Sequence, residues 1–292
     1  MDYKNFMVAP GNKVTLDDFD PGSTGSFKSK QGAQAKLAKD IERMAELQDV
    51  LYASCEYALL VIFQAMDTAG KDGAIKHVMS GVNPQGVQVV SFKQPSQEEL
   101  HHDYLWRAAK ALPPRGYIGI FNRSYYEEVL VARVHTEILQ GEKVSAKETL
   151  KDLWKERYED INNFELHLTR NGTQILKFFL NLSREEQRQR LLARLEDPSK
   201  NWKFSSADLQ ERSFWDQYAD AYEKMLCHTS TKYAPWYVVP ADHKWFTRVL
   251  VADVIVAKLK SLKLKYPEVP KLMKPQLLKA QKALAWAAAA GG

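Results

Sequence analysis

Apolar residues at Leu37, Ile41, Met44, Leu47 and Leu51 recur every three or four positions, which predicts an amphipathic helix over residues 32–54. Five short apolar runs follow, at residues 58–63, 88–92, 117–121, 174–182 and 236–239, separated by helix-length segments. Such runs, bounded by turn or cap residues, mark strands buried on both faces. The pattern therefore predicts an α/β fold, a parallel sheet of about five strands sandwiched by helices. Between the fourth and fifth runs, residues 183–233 are crowded with charge and tryptophan. Ser183 followed by Glu186 reads as a capping box, so a helical insert begins at the end of the fourth strand. After the fifth strand, Asp242 is the expected N-cap of a helix with Phe246, Val249, Leu250, Val254 and Leu259 on its apolar side. Residues 1–31, with the turn-prone DDFDPGSTGS, form an arm that orders on contact. Residues 267–292 form a peripheral tail. One domain over residues 32–266 remains, with the insert at about 183–233 acting as a lid.

Composition narrows the function classes. The 292 residues, 45% hydrophobic, suffice for one large core, and 41 basic against 36 acidic residues leave a net charge of +5. That mild excess suits a polyanionic ligand without requiring nucleic acid. Cys55 and Cys227 stand far apart with no CxxC partner, which argues against a disulfide framework or a zinc site and fits a reducing compartment. The start has no basic segment followed by an apolar one, and no run approaches the ~18 apolar residues of a membrane span. A soluble, cytoplasmic protein with no membrane partner is expected.

The chemistry concentrates in three places. Ala65-Met66-Asp67-Thr68-Ala69-Gly70-Lys71-Asp72-Gly73 follows the strand ALLVIF and precedes the helical AIKHVM. Strand, small-residue loop with Gly-Lys, then helix is the context in which backbone N–H groups and a lysine cradle phosphate. Ala65 replaces the usual first glycine and Asp72 the usual Ser/Thr. A carboxylate, Asp67 before Asp72, must therefore hold any metal. The second place is FNRSYYEE, at the end of the strand YIGIF. There Arg123 offers its guanidinium fork to phosphate oxygens, or else pairs with Glu127 four residues on. The third is the insert, where Arg184, Arg188, Arg190 and Arg194 share one predicted helix and Lys200 and Lys203 follow it. These supply lid cations for phosphoryl transfer, or, interleaved with Glu185, Glu186, Glu196 and Asp197, a solvated salt-bridged face. His101 and His102 read as surface residues, Asp103 and Arg107 as a helix pair. Trp202, Trp215, Tyr218, Tyr222, Tyr233 and Trp236 read as core positions more than as base-stacking ones.

QAMDTAGKDGAIKHV, GVNPQGVQVVSF, IFNRSYYEEVLVARV, EQRQRLLARLEDPSKNWKF and YAPWYVVPADHKW together resemble the blocks of the polyphosphate kinase type 2 family, over about residues 7–266. MDTAGKDG and FNRSYYEE are most similar to its class III branch. The resemblance implies a P-loop kinase-like fold with a helical lid, and Mg²⁺, or Mn²⁺, as cofactor. The implied partners are inorganic polyphosphate with AMP, ADP, ATP and guanine nucleotides, and the implied assembly is a homo-oligomer, a dimer or tetramer. Carried over by position, Asp67 is the metal-binding and catalytic carboxylate, and Lys71 and Arg123 are phosphate ligands. Arg188, also catalytic, and Arg194 are lid cations. Asn122, where many relatives have Asp, tunes nucleotide choice with Glu128. Phosphate contacts are expected from Ala69, Gly70, Lys71, Asp72 and Gly73, and from Arg194, Lys200 and Lys203.

The expected activity is reversible transfer of a phosphoryl group between polyphosphate and a nucleotide. An ATP-dependent nucleotide kinase of thymidylate-kinase type would share the sheet, loop and lid, but the regular Walker Gly and Ser/Thr are missing. A non-catalytic polyanion binder would gain nothing from Asp67 and Asp72 beside the loop.

Overall fold

The computed structural model describes residues 2–141, 149–199, 201 and 205–290. Five parallel strands, β1 (Ala58–Ala65), β2 (Val87–Ser91), β3 (Ile118–Asn122), β4 (Thr173–Asn181) and β5 (Trp236–Pro240), form one sheet in the order β2-β3-β1-β4-β5. β1 lies in the middle, with Phe63 opposite Asn122 on one side and Ala65 opposite Leu180 on the other. Its neighbours run in the same direction, so the carboxyl ends of β1, β3 and β4 open onto one crevice, where ligands of open α/β sheets bind.

Strand alternation divides the interior into two cores. Leu59, Val61 and Phe63 of β1 face a core closed by α1 (Lys30–Ser54), α2 (Lys71–Val78) and, beyond β5, the helix Lys244–Ser261. Leu60 and Ile62 face a second core, closed by α3 (Leu150–Arg170) and the helix Trp215–Thr229. In chain order the remaining helices of eight residues or more are α4 (Arg184–Glu196), α5 (Ser206–Ser213), α6 (Trp215–Thr229), α7 (Lys244–Ser261) and α8 (Lys274–Ala290). Helix α7 is buried nearly all round, Val251, Ala252 and Ile255 included, because α1 and α2 pack against it as well as β4 and β5. No helix among the described residues is long and apolar enough to cross a membrane.

Three local expectations are corrected. Ser183 does cap α4, accepting from Glu186 N, but the Glu186 carboxylate accepts from Arg190 Nε at 2.8 Å and closes no capping box. Asp242 does not cap α7, whose N-cap is His243. Its Oδ1 accepts instead from Ser183 N at 2.8 Å, tying the ends of β4 and β5 together. Arg107 does not pair with Asp103. It donates to Lys93 O at 2.8 Å and lies over the Phe92 ring, while Asp103 caps its own turn at Leu105 N. The arm runs along β5, with Val8 N donating to Trp236 O and Asp242 N to Pro21 O.

Candidate active site

The loop from β1 to α2 is held in an unusual backbone shape. Gly70, at the N-cap of α2, has φ +101°, open to glycine and strained for any other residue. Thr68 takes φ 66° and Arg123, at the end of β3, φ 63°. A β-branched residue in the left-handed region is a genuine outlier, and such strain collects at functional sites. Two side chains of α4 fix the loop. Arg190, buried, donates from Nη1 to Thr68 O and Ala69 O at 3.0 and 2.9 Å and from Nη2 to Ala241 O and Asp242 O at 2.6 and 3.1 Å. With Nε on Glu186, all five N–H donors of this guanidinium are engaged. Gln187 Nε2 donates to Asp67 O at 3.1 Å.

Lys71, Arg123 and Asp67 converge within this frame. Lys71 Nζ donates to Ala65 O at 3.0 Å. Burial, and after it the Arg123 charge, push its pKa below the ordinary lysine value. Arg123 Nη2 meets Asp67 Oδ1 at 3.0 Å and Nη1 meets Glu127 Oε2 at 3.5 Å, so the pairing with Glu127 is present and Asp67 shares the guanidinium. Glu127 is anchored from behind by Gln64 Nε2 at 2.9 Å. Asn122 Nδ2 donates to Asp72 Oδ1 at 2.7 Å, which orients that carboxylate over the first turn of α2.

Two cavities meet at Asp67, Gln94 and Arg123. One, of about 570 Å³, runs over Gly70, Lys71 and Gly73 to Lys93 and Arg194 and is predominantly cationic. The other, of about 430 Å³, is walled by Trp215, Tyr218 and Tyr222 of α6, with Glu127, Asp208 and Glu211 between them. Tyr218 donates to Glu211 Oε2 at 2.6 Å, and burial, reinforced by that carboxylate, pushes its phenol well up. Trp215 and Tyr218 thus line a cavity, whereas Tyr222, though it also borders that cavity, and Trp236 are buried core residues, as the pattern predicts.

A divalent cation would find oxygen donors here. The Thr68 hydroxyl, on the residue after Asp67, is buried without a hydrogen-bond partner. No group of three or more His, Cys, Asp or Glu suited to a metal occurs among the described residues. One or two carboxylates completed by substrate phosphates and water is the coordination that Mg²⁺ takes, so the residues present fit it.

Of the remaining expected site residues, Arg188 and Glu128 lie elsewhere. Arg188 is 53% exposed and bidentate with Glu185, from Nε at 2.9 Å and Nη2 at 2.7 Å, outside both cavities. Glu128 is buried against Arg157 at 3.3 Å, with Arg107 at 3.8 Å, and also lines neither. Arg194 reaches the cationic cavity while pairing with Asp208 at 3.3 Å. Lys200 and Lys203 fall outside the described residues. Sequence reasoning gave no separate role to Arg190 and passed over Gln187, Gln64 and Asp208, which carry or position the site.

The family model described as polyphosphate kinase 2 matches residues 27–267. The ADP-polyphosphate phosphotransferase of Rhodopseudomonas palustris is 53% identical over 282 residues, 96% of this chain and 98% of that one. The AMP/ADP-polyphosphate phosphotransferase of Meiothermus ruber is 46% identical over 266 residues, 91% and 96% of the two chains. The crystal structure of polyphosphate kinase 2 from Arthrobacter aurescens superposes with a TM-score of 0.84 at 42% identity, covering 94% of this chain and 95% of its own. With sequence and fold matched over nearly all its length, this chain belongs to the polyphosphate kinase 2 family.

Proposed function

We propose that this enzyme reversibly transfers a phosphoryl group between inorganic polyphosphate and AMP or ADP, with Mg²⁺ as the divalent metal, and accepts guanine nucleotides in the same site. The observation that carries the reading is the junction of a cationic and an aromatic cavity at Asp67 and Arg123. A polyanion suits the first and a nucleoside the second, so the reacting phosphates would meet between them. The names of the Rhodopseudomonas and Meiothermus proteins support the acceptors.

In the forward direction a terminal oxygen of the nucleotide attacks the terminal phosphorus of the polymer in line. The P–O bond to the next phosphate breaks, and the shortened chain leaves with that electron pair. Lys71 and Arg123 stabilise charge gathering on the transferred group, and the backbone N–H groups at the start of α2 hold the leaving chain. Mg²⁺ held through Asp67, with Thr68 and Asp72 at hand, would supply further charge neutralisation. Asn122 holds the Asp72 carboxylate toward the end of β3, and Glu128 acts on nucleotide choice only through the turn Tyr125–Val129 that it anchors. The bond broken and the bond formed are alike, so the reaction runs both ways without a covalent enzyme intermediate.

Protein, Mg²⁺ and polyphosphate mixed with AMP, ADP or GDP, and resolved by anion exchange, should yield ADP, ATP and GTP. A chain that phosphorylates nucleotides from ATP and ignores polyphosphate would overturn the reading.

The Arg194–Asp208 pair yields a further expectation. Asp208 holds a lid cation that polyphosphate must compete for; burial, then the Asp67 charge, push its carboxyl up. Asp208→Asn should lower the KM for polyphosphate by about two- to fivefold, the size of a partly exposed ion pair. An unchanged or raised KM across a salt series would show that Arg194 is not restrained by this carboxylate.

A further inference from the structure

A third cavity, of about 280 Å³, opens behind the P-loop between α2, α4 and α7. It shares Thr68, Gly70, Gly73 and Arg194 with the cationic cavity in front. Its lining holds four cations, Arg190, Arg194, Lys244 and Arg248, with no carboxylate and no aromatic ring. Arg190 contributes charge alone, since its donors are engaged. Arg248, half-buried on α7, has no ion-pair or hydrogen-bond partner among the described residues, and burial alone moves its pKa, downward. Desolvating a guanidinium with nothing opposite it is unfavourable, so the arrangement is explained by an anion that arrives with the ligand.

The passage between the two cavities is lined by glycine. A Cβ at Gly70 would stand 3.7 Å from Arg190 Nη1, and one at Gly73 4.0 Å from Arg248 Nη2. The missing side chains leave room for a chain to cross the first turn of α2 close to its backbone. A nucleoside would find no ring to stack on and no carboxylate to read its edge, whereas a linear chain of phosphates matches both the charge and the narrow shape.

We infer that this rear cleft, bounded by Arg194, Lys244 and Arg248, binds phosphate groups of the polyphosphate chain remote from the transferred one, so that the polymer is gripped on both sides of Gly70 and Gly73. The inference rests on the proposed use of polyphosphate and adds a second anionic subsite to it. Chains too short to pass Gly73 do not reach Arg248, so the subsite acts through chain length.

The test compares wild type, Arg248→Gln and Lys244→Gln on tripolyphosphate, as substrate or competitive inhibitor, and on polyphosphate of tens of units, with ADP as acceptor. In Arg248→Gln the KM for the long chain should rise about tenfold, as for a lost hydrogen bond between charged groups. The salt dependence of that KM should flatten by about 0.7–0.9 of a logarithmic unit, as for one lost nucleic-acid phosphate contact. The tripolyphosphate constant, the KM for ADP and kcat should stay unchanged. Lys244→Gln, on the exposed first turn of α7, should shift the same constant in the same direction and carries the test should Arg248→Gln fold poorly. No change at any length, or equal losses on short and long chains, would overturn the rear subsite. A wild type inert to polyphosphate of every length would instead overturn the proposed function itself.

Discussion

Lys71→Met should lower kcat by about 10²–10³-fold while leaving the melting temperature nearly in place, the loss usual for one donor aimed at developing charge. The ammonium sits at the start of α2, on Ala65 O, where the loop brings it beside Arg123 and Asp67. Methionine keeps the stem and its packing and removes only the charge. Because burial and the Arg123 guanidinium push the Lys71 pKa down, the active ammonium form is lost at a lower pH than for an ordinary lysine. Sign and window follow: kcat/KM, which reports the free enzyme, should decline as pH rises through that lowered pKa, and the variant's residual rate should lack this limb. Steady-state rates across pH, with a thermal melt of each protein, check both parts. A folded variant within threefold of wild type would remove Lys71 from the mechanism.

The sheet and the loop at residues 65–73 were legible because their signals are local. A parallel strand covered on both faces must be apolar throughout, and a phosphate loop must join a strand to a helix through small residues. The insert at 183–233 was legible only as a helical, charged segment. Its helix carries two candidate stripes: Gln187, Arg190, Leu191 and Arg194 at helical spacing, and Arg188, Leu192 and Leu195 at the same spacing. The structure buries Gln187, Arg190 and Leu191, leaves Arg194 partly exposed, and leaves Leu192 and Leu195 43% and 45% exposed. Leucine on both stripes left the phase undecided, so Arg188 and Arg190 could not be told apart. What fixes the phase is the distant chain: the carbonyls of Thr68, Ala69, Ala241 and Asp242 that Arg190 gathers. Asp242 shows the same limit. Its position suits an N-cap, and a backbone N–H fifty-nine residues away takes the carboxylate. Arg248 and Lys244 drew no reading at all, since nothing local says that α2 and α4 close over them.

Lys177 is the residue most at odds with its segment, and Lys177→Met should have the largest effect on stability. β4 alternates Ile175, Lys177 and Phe179 into the second core, so a charge stands where the pattern calls for an apolar side chain. Lys177 and Glu165 of α3 are both 0% exposed and meet at 2.6 Å. Lys177 Nζ also donates to Tyr126 Oη at 2.8 Å and to Thr229 O at 2.7 Å, and Tyr125 and Tyr126 donate to Glu165 Oε1 at 2.9 and 2.7 Å. The pair therefore ties β4, α3 and α6 to the turn that begins just after Arg123. Methionine at 177 leaves the carboxylate buried without its cation, a change that costs about 3–5 kcal/mol. At roughly 2–4 °C per kcal/mol for a chain of this size, the melting temperature should fall by about 10 °C. Adding Glu165→Gln removes the orphaned charge yet keeps an acceptor for both tyrosines, so the double variant should regain at least half of the loss. Urea unfolding of the two variants and wild type decides it. A loss under about 1 kcal/mol in the single variant, or none regained in the double, would mean that packing rather than charge pairing sets the stability of this core. If turnover returns with stability in the double variant, the network acts on Arg123 by holding the Tyr125–Val129 turn and not by its charge.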